Sequence, residues 1–329
     1  MRGSGPRWLA SVLAVTSVLA ACDGSTTAPR PRPARPTVSR SRTIDETMKT
    51  ADGRVRTYRV HVPGGLGGNR RVPMVLALHG GVGSGRQFER NSGFDVLADA
   101  HRFVVVYPDG IEIGGSSVLA TGHVWNGGRC CGAAATENVD DVGFLTRVVD
   151  SVTARYGVDP RQVFAVGHSN GAIMAYRLAC ERAAKIAAIG VQAGTLEVDG
   201  CAPARPVSVL HIHGSADRNL PIGGGRGAGL SAVAFFPPKD AVEILARADR
   251  CPAAPTTRRD RENPDVTTAV WSPCAERTAV EFVTVTGASH AWMGHPSSRS
   301  GANLTGEPYP GFDSSAAIWS FLVAHPRSG

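Results

Sequence analysis

The chain has 329 residues, 42% of them hydrophobic, with 39 glycines, 22 prolines and a formal charge of +7. That length and apolar content exclude a disulfide miniprotein and a disordered chain, and they suit one large globular domain. The charge is no evidence for a nucleic-acid partner. Arg2 and Arg7 sit at the N-terminus, and Arg30, Arg32, Arg35, Arg40 and Arg42 outweigh Asp23, so everything beyond residue 42 carries only about +1.

After Arg2 and Arg7 comes an apolar run from Trp8 to Ala21. It is short for a bilayer span and shaped like the hydrophobic region of a secretory signal. It ends Leu19-Ala20-Ala21-Cys22, and small residues before a cysteine resemble the lipobox of bacterial lipoproteins. Residues 1–21 are therefore expected to be a lipoprotein signal peptide, leaving a diacylated Cys22 as the new N-terminus. Two or three acyl chains hold a protein to a membrane firmly. An ordinary signal peptide with an incidental cysteine is the alternative. Residues 22–42 are rich in Ser, Thr, Pro and Arg, which cannot build a core and predict an extended tether. From Thr43 to residue 329 the pattern is globular, with no internal repeat.

Within 43–329, strands are predicted at Tyr58–Val62 and Met74–Leu78, a helix at Arg86–His101 and a strand at Phe103–Tyr107. A long irregular loop through Trp125-Asn126 follows, then a helix over Val139–Tyr156. Val163-Phe164-Ala165-Val166 reads as a short β-branched strand, and Ala172 to Leu178 reads as a helix. Ala184–Ala193, a strand at Val207, a helix at Pro238–Arg250, a strand at Val280 and a final helix at Phe312–Ala324 complete the order. Strands alternating with helices predict an α/β fold, a mostly parallel central sheet covered on both faces.

Between the Val163 strand and the Ala172 helix stands Gly167-His168-Ser169-Asn170-Gly171. G-x-S-x-G in that setting is the nucleophile elbow of α/β-hydrolases, a turn tight enough to require glycine two residues either side of the serine. A serine nucleophile needs a base, and the base needs an orienting acid, in the chain order Ser, Asp or Glu, His. Asp217 follows the buried run Pro206–Gly214, and His290 follows the alternating Val280–Val285. An oxyanion hole needs two backbone N–H groups. One is expected from Asn170, the other from Gly81 or Val82 in the glycine-rich loop after Leu78. Trp125 and Trp292 offer flat apolar walls for an aromatic acyl group. His168, beside the serine, reads as a packing residue at the substrate-binding edge.

Competing readings are weaker. Asp140 and Asp141 precede the serine and open a helix, so capping suits them better than the acid role. His211 and His213 share one strand face, but no third ligand has convincing spacing for a metal. Gly80 to Gly85 matches neither a dinucleotide fingerprint nor a Walker loop. No metal or cofactor is expected.

Six cysteines remain beyond Cys22, an even number that suggests disulfides in an oxidising compartment. A Cys251–Cys274 bridge would brace the base loop. Cys180, on the helix after the nucleophile, is available to pair with Cys201. For Cys130 and Cys131 a vicinal bridge, free thiols and other pairings all stay open.

Leu78-His79-Gly80, Tyr107-Pro108-Asp109-Gly110, Trp125-Asn126, Cys130-Cys131-Gly132, Val139 to Phe144, the elbow, His211-Ile212-His213-Gly214 through Asp217, and His290-Ala291-Trp292 together resemble the polyhydroxybutyrate depolymerase-like (LpqC-like) esterases, related to feruloyl and acetylxylan esterases. The resemblance covers nearly everything after the tether. It implies an α/β-hydrolase acting on carboxylic esters without metal or cofactor, with its triad on Ser169, Asp217 and His290. Gly81 departs from relatives that often carry cysteine there, which does not harm a backbone-donated hole.

The expected function is therefore an extracytoplasmic, membrane-tethered serine esterase. Its substrates would be feruloyl or acetyl esters on polysaccharide, or short hydroxyalkanoate esters, in preference to crystalline polyester. A cell-envelope lipid or acyl-glycan esterase is the alternative enzyme. A non-catalytic surface-binding lipoprotein is the alternative outside catalysis.

Overall fold

The computed structural model describes residues 39–66, 71–114, 122–229, 231, 233–297 and 299–328. The expected signal peptide, Cys22 and nearly all of the tether lie outside the described residues. Strands β1 (Arg42–Lys49), β2 (Val55–Val62) and β3 (Val72–Leu78) lead to helices α1 (Gly85–Ser92) and α2 (Phe94–His101), then β4 (Val104–Pro108). A short ladder of β5 (Ile111–Glu112) with β6 (His123–Val124), and helix α3 (Gly132–Thr136), precede α4 (Asp141–Tyr156). Next come β7 (Val158–His168), α5 (Asn170–Glu181), β8 (Ala188–Gln192) and β9 (Ser208–Gly214). A second ladder of β10 (Gly225–Arg226) with β11 (Ala234–Phe235) leads to α6 (Pro238–Ala248). The chain closes with β12 (Thr256–Arg259), β13 (Val266–Trp271), β14 (Val280–Val285), α7 (Arg299–Thr305) and α8 (Ser314–Ala324).

Ten strands form one sheet in the order β1-β2-β4-β3-β7-β8-β9-β14-β13-β12. The middle run β4-β3-β7-β8-β9-β14 is parallel, and the flanking strands are antiparallel. The expected α/β architecture is therefore present, with antiparallel edges added. β4, β8 and β9 are buried along their whole length, as a sheet covered on both faces requires. α4 shows the complementary pattern: Asp141, Leu145, Val148, Val149 and Val152 lie on its buried stripe.

Three boundaries differ from expectation. The helix read over Arg86–His101 is two helices, because Gly93 adopts φ 72° and a Cβ there would meet the His295 ring at 2.3 Å. β1 begins at Arg42, one residue before the expected start of the globular region, already paired with Val62. β12 and β13 carry no strict alternation of buried and exposed residues, and sequence periodicity passes over them.

Candidate active site

The parallel strands end in the loops that carry the candidate residues. β7 delivers Ser169 at φ 55° and ψ −120°, a conformation that L-residues reach only under constraint. The constraint is contact. A Cβ on Gly167 would sit 2.2 Å from the Gly171 carbonyl, and one on Gly171 would sit 2.2 Å from that of Leu78. Only glycine fits either side of the turn.

Ser169 Oγ lies 2.8 Å from His290 Nε2, and His290 Nδ1 lies 2.7 Å from Asp217 Oδ2. The carboxylate can only accept, so Nδ1 carries the hydrogen and Nε2 accepts from the serine hydroxyl. Asp217 Oδ1 accepts the backbone N–H groups of Asn219 and Leu220, both at 2.9 Å. Burial alone would raise the Asp217 carboxyl, but the imidazoles of His290 and His213 hold it below the ordinary aspartate value. The site therefore presents a hydroxyl, a base poised to take its proton and an ionised group to orient that base. Such a set can perform acyl transfer through a serine ester.

The glycine-rich loop lies against the elbow. A Cβ on Gly80 would touch Ser169 Cβ at 3.3 Å, and one on Gly81 would touch Asn170 Cβ at 3.7 Å. Among the described residues, no protein acceptor meets the backbone N–H of Gly81, Val82 or Asn170. Val82 adopts φ 58°, which turns the loop at that point. The Asn170 side chain closes a reciprocal pair with the Trp125 backbone at 2.7 and 3.0 Å.

The base loop is held by a residue that sequence reading missed. Gln192, at the end of β8, donates to the Ala291 carbonyl at 2.7 Å and accepts from Met293 N–H at 3.2 Å and Ser314 Oγ at 2.6 Å. Its signal was a polar residue closing the apolar run Ala188–Val191. His168 acts on the same loop, donating from Nε2 to the His290 carbonyl at 2.7 Å.

Two expected substrate-binding residues are corrected. Trp125 has no exposed surface and its Nε1 donates to the His79 carbonyl, so its ring is core. Trp292 is 6% exposed, packs edge-on against Phe88 and donates to Ser315. His168 is part-buried against His290 and Trp292, and burial, with His290 beside it, pushes it down to about 4. It holds the base loop through its Nε2. Asp140 caps α4 through the Gly143 N–H at 2.7 Å, as expected. Asp141 instead pairs with the buried Arg56 at 2.7 Å and accepts the Asn126 N–H. The ring nitrogens of His211 and His213 are engaged by Tyr176, by each other and by the Leu220 carbonyl.

Cys180 pairs with Cys201, Cys251 with Cys274, and Cys130 with its neighbour Cys131. Cys251–Cys274 ties the end of α6 to the loop before β14. That is the opposite end of β14 from His290, so the bridge does not brace the base loop.

Residues 56–243 match the family model described as Esterase PHB depolymerase. The chain belongs to this family. It is an ester hydrolase. NocK of Nocardia uniformis subsp. tsuyamanensis, whose name places it among the esterases, is 31% identical over 322 residues, covering 86% of this chain and 88% of its own. Feruloyl esterase B of Piromyces equi is 28% identical over 239 residues, and this esterase spans 42% of that protein's length. The acetyl xylan esterase from Aspergillus awamori superposes with a TM-score of 0.54 at 19% identity, covering 75% of this chain and 94% of that one. That likeness shows the α/β-hydrolase fold.

Proposed function

We propose that this esterase is a serine carboxylic-ester hydrolase in which Ser169 attacks the ester carbonyl. His290 takes the serine proton and returns it to the leaving alcohol, and Asp217 orients the imidazole and stabilises its charged form. The N–H of Asn170 and that of Gly81 or Val82 receive the developing oxyanion. Water then cleaves the acyl-enzyme by the same route. The observation that carries this reading is the unbroken run Ser169 Oγ, His290, Asp217 at 2.8 and 2.7 Å.

The substrates we propose are feruloyl or acetyl esters on polysaccharide, or short hydroxyalkanoate esters. Feruloyl and acetylxylan esterases among the relatives support the first class, and the family's description supports the second. An apolar cluster of Ile173, Leu220, Phe235 and the Cys130–Cys131 pair lies between the nucleophile helix and the acid loop. Three disulfides suit an extracytoplasmic location, and Cys22 is the residue proposed to carry lipid.

The test of mechanism is a fluorophosphonate probe with turnover of aryl acyl, feruloyl and hydroxybutyrate esters. Wild type is expected to label at Ser169. Ser169→Ala is expected to lose label and about a million-fold in kcat while staying folded. A Ser169→Ala protein with wild-type turnover overturns the mechanism. For the anchor, Cys22→Ser is expected to abolish incorporation of labelled fatty acid, and wild type that incorporates none refutes lipidation.

A further inference from the structure

Behind the acid loop runs a buried set of side chains that ester chemistry, as described so far, leaves idle. The Tyr176 hydroxyl, on α5, lies 2.7 Å from His211 Nδ1. His211 Nε2 lies 3.0 Å from His213 Nδ1, and the two rings stack two residues apart on one face of β9. His213 Nε2 lies 2.9 Å from the Leu220 carbonyl and 3.4 Å from Asp217 Oδ2. All three side chains are buried.

The direction of every bond follows from the last one. A carbonyl and a carboxylate only accept, so His213 Nε2 must carry a hydrogen. A neutral imidazole has one N–H, which leaves His213 Nδ1 as an acceptor. His211 Nε2 therefore donates to it, His211 Nδ1 accepts, and the Tyr176 hydroxyl supplies that proton. Reversing the run would set His213 Nε2 as an acceptor against two acceptors. Burial keeps His211 and His213 below the ordinary histidine range and Tyr176 above the ordinary phenol range, so every member is neutral.

We propose that Tyr176, His211 and His213 form a one-way relay of positioning residues that presents a single N–H of fixed direction to the Asp217 loop. The inference rests on the triad reading above. That N–H is hydrogen-bonded to the Leu220 carbonyl and passes 3.4 Å from Asp217 Oδ2, the oxygen that accepts from His290 Nδ1. It grips the loop as well: Leu220 receives His213 on its carbonyl while its own N–H donates to Asp217 Oδ1. The Leu220 peptide is thus held at both its carbonyl and its N–H, which fixes the acid loop without adding a charge. The titratable groups facing the relay and its target are Tyr176 from α5, His290 from the loop after β14, His168 from the end of β7 and Asp217 itself. Phe282 of β14 covers His211 with an apolar ring at 5.1 Å.

Histidine-labelled wild-type protein tests the direction directly by long-range ¹H–¹⁵N correlation. Both His211 and His213 are expected as Nε2–H tautomers, neutral at neutral pH. A Nδ1–H tautomer, or a doubly protonated ring at neutral pH, overturns the relay. The consequence is tested by His213→Leu beside His213→Gln, which keeps an N–H at similar reach. Turnover is expressed per site titrated with fluorophosphonate. His213→Leu is expected to lose about tenfold in kcat, the scale of one lost buried hydrogen bond, with KM little changed. Its acidic limb is expected to move to higher pH, because a carboxylate relieved of the His213 N–H binds the imidazolium form of the base more tightly. His213→Gln is expected to restore most of both. A folded His213→Leu protein with the wild-type kcat and pH profile, or a Gln variant as damaged as Leu, overturns the role. If His213→Leu does not fold, the wild-type tautomers decide. A protein that labels at Ser169 yet shows the wrong tautomers loses the relay alone, whereas one that never labels at Ser169 loses the triad reading.

Discussion

Asp217 does more than point at His290. Its Oδ1 collects two backbone N–H groups and its Oδ2 accepts from the base, with the His213 ring 3.4 Å away, and that convergence holds its charge in a buried place. Asp217→Asn keeps the shape but can donate to Nδ1, which turns His290 to the wrong tautomer. A loss of about 10⁴ in kcat is expected, with folding intact by melting temperature. A silent Asp217→Asn together with a crippled Asp141→Asn would move the acid role, against the Arg56–Asp141 ion pair seen in the core. Ser169, Asp217 and His290 were legible in sequence because each follows a strand in a fixed order. Trp125 and Trp292 were misread because an aromatic residue beside a motif looks the same whether it walls a cleft or fills a core. Only their indole N–H partners, His79 and Ser315, decide.

At the scale of elements, the central strands were legible because a parallel sheet covered twice leaves uninterrupted apolar runs. The edges were not. β1 reads Arg42-Thr43-Ile44-Asp45-Glu46-Thr47-Met48-Lys49, half exposed and mostly polar, and only its pairing with β2 makes it a strand. The break at Gly93 was hidden because two helices joined by one glycine keep a helical period. The disulfide at Cys251–Cys274 spans a sequence separation of 23, and opening such a loop costs about 3 kcal/mol in the chain-entropy model. Cys274→Ser is expected to melt earlier. Because the bridge lies at the far end of β14 from His290, kcat well below the melting transition should match wild type. A fall in kcat without a fall in melting temperature would contradict that placement.

At the scale of the whole molecule, an acid buried away from the site makes stability depend on pH. Asp249, just past α6, accepts the Val207 N–H on both oxygens, at 3.1 and 3.2 Å. Burial pushes it up to about 7 from the ordinary 3.8. Between those values the folded state binds the extra proton, so stability is greatest below the window and falls as pH rises through it. Asp249→Asn keeps an acceptor for Val207 without a charge. Its melting temperature relative to wild type is therefore expected to be more favourable at about pH 8 than at about pH 5. An equal difference at both pH values would refute the buried acid's effect. A larger consequence follows from the direction of β1. It is antiparallel to β2, and β2 is antiparallel to β4, so Arg42 stands level with the beginnings of the parallel strands. Ser169, Asp217 and His290 stand beyond their ends. The chain therefore enters the described structure at the foot of the sheet, at the opposite end from the mouth where Ser169, His290 and Asp217 meet.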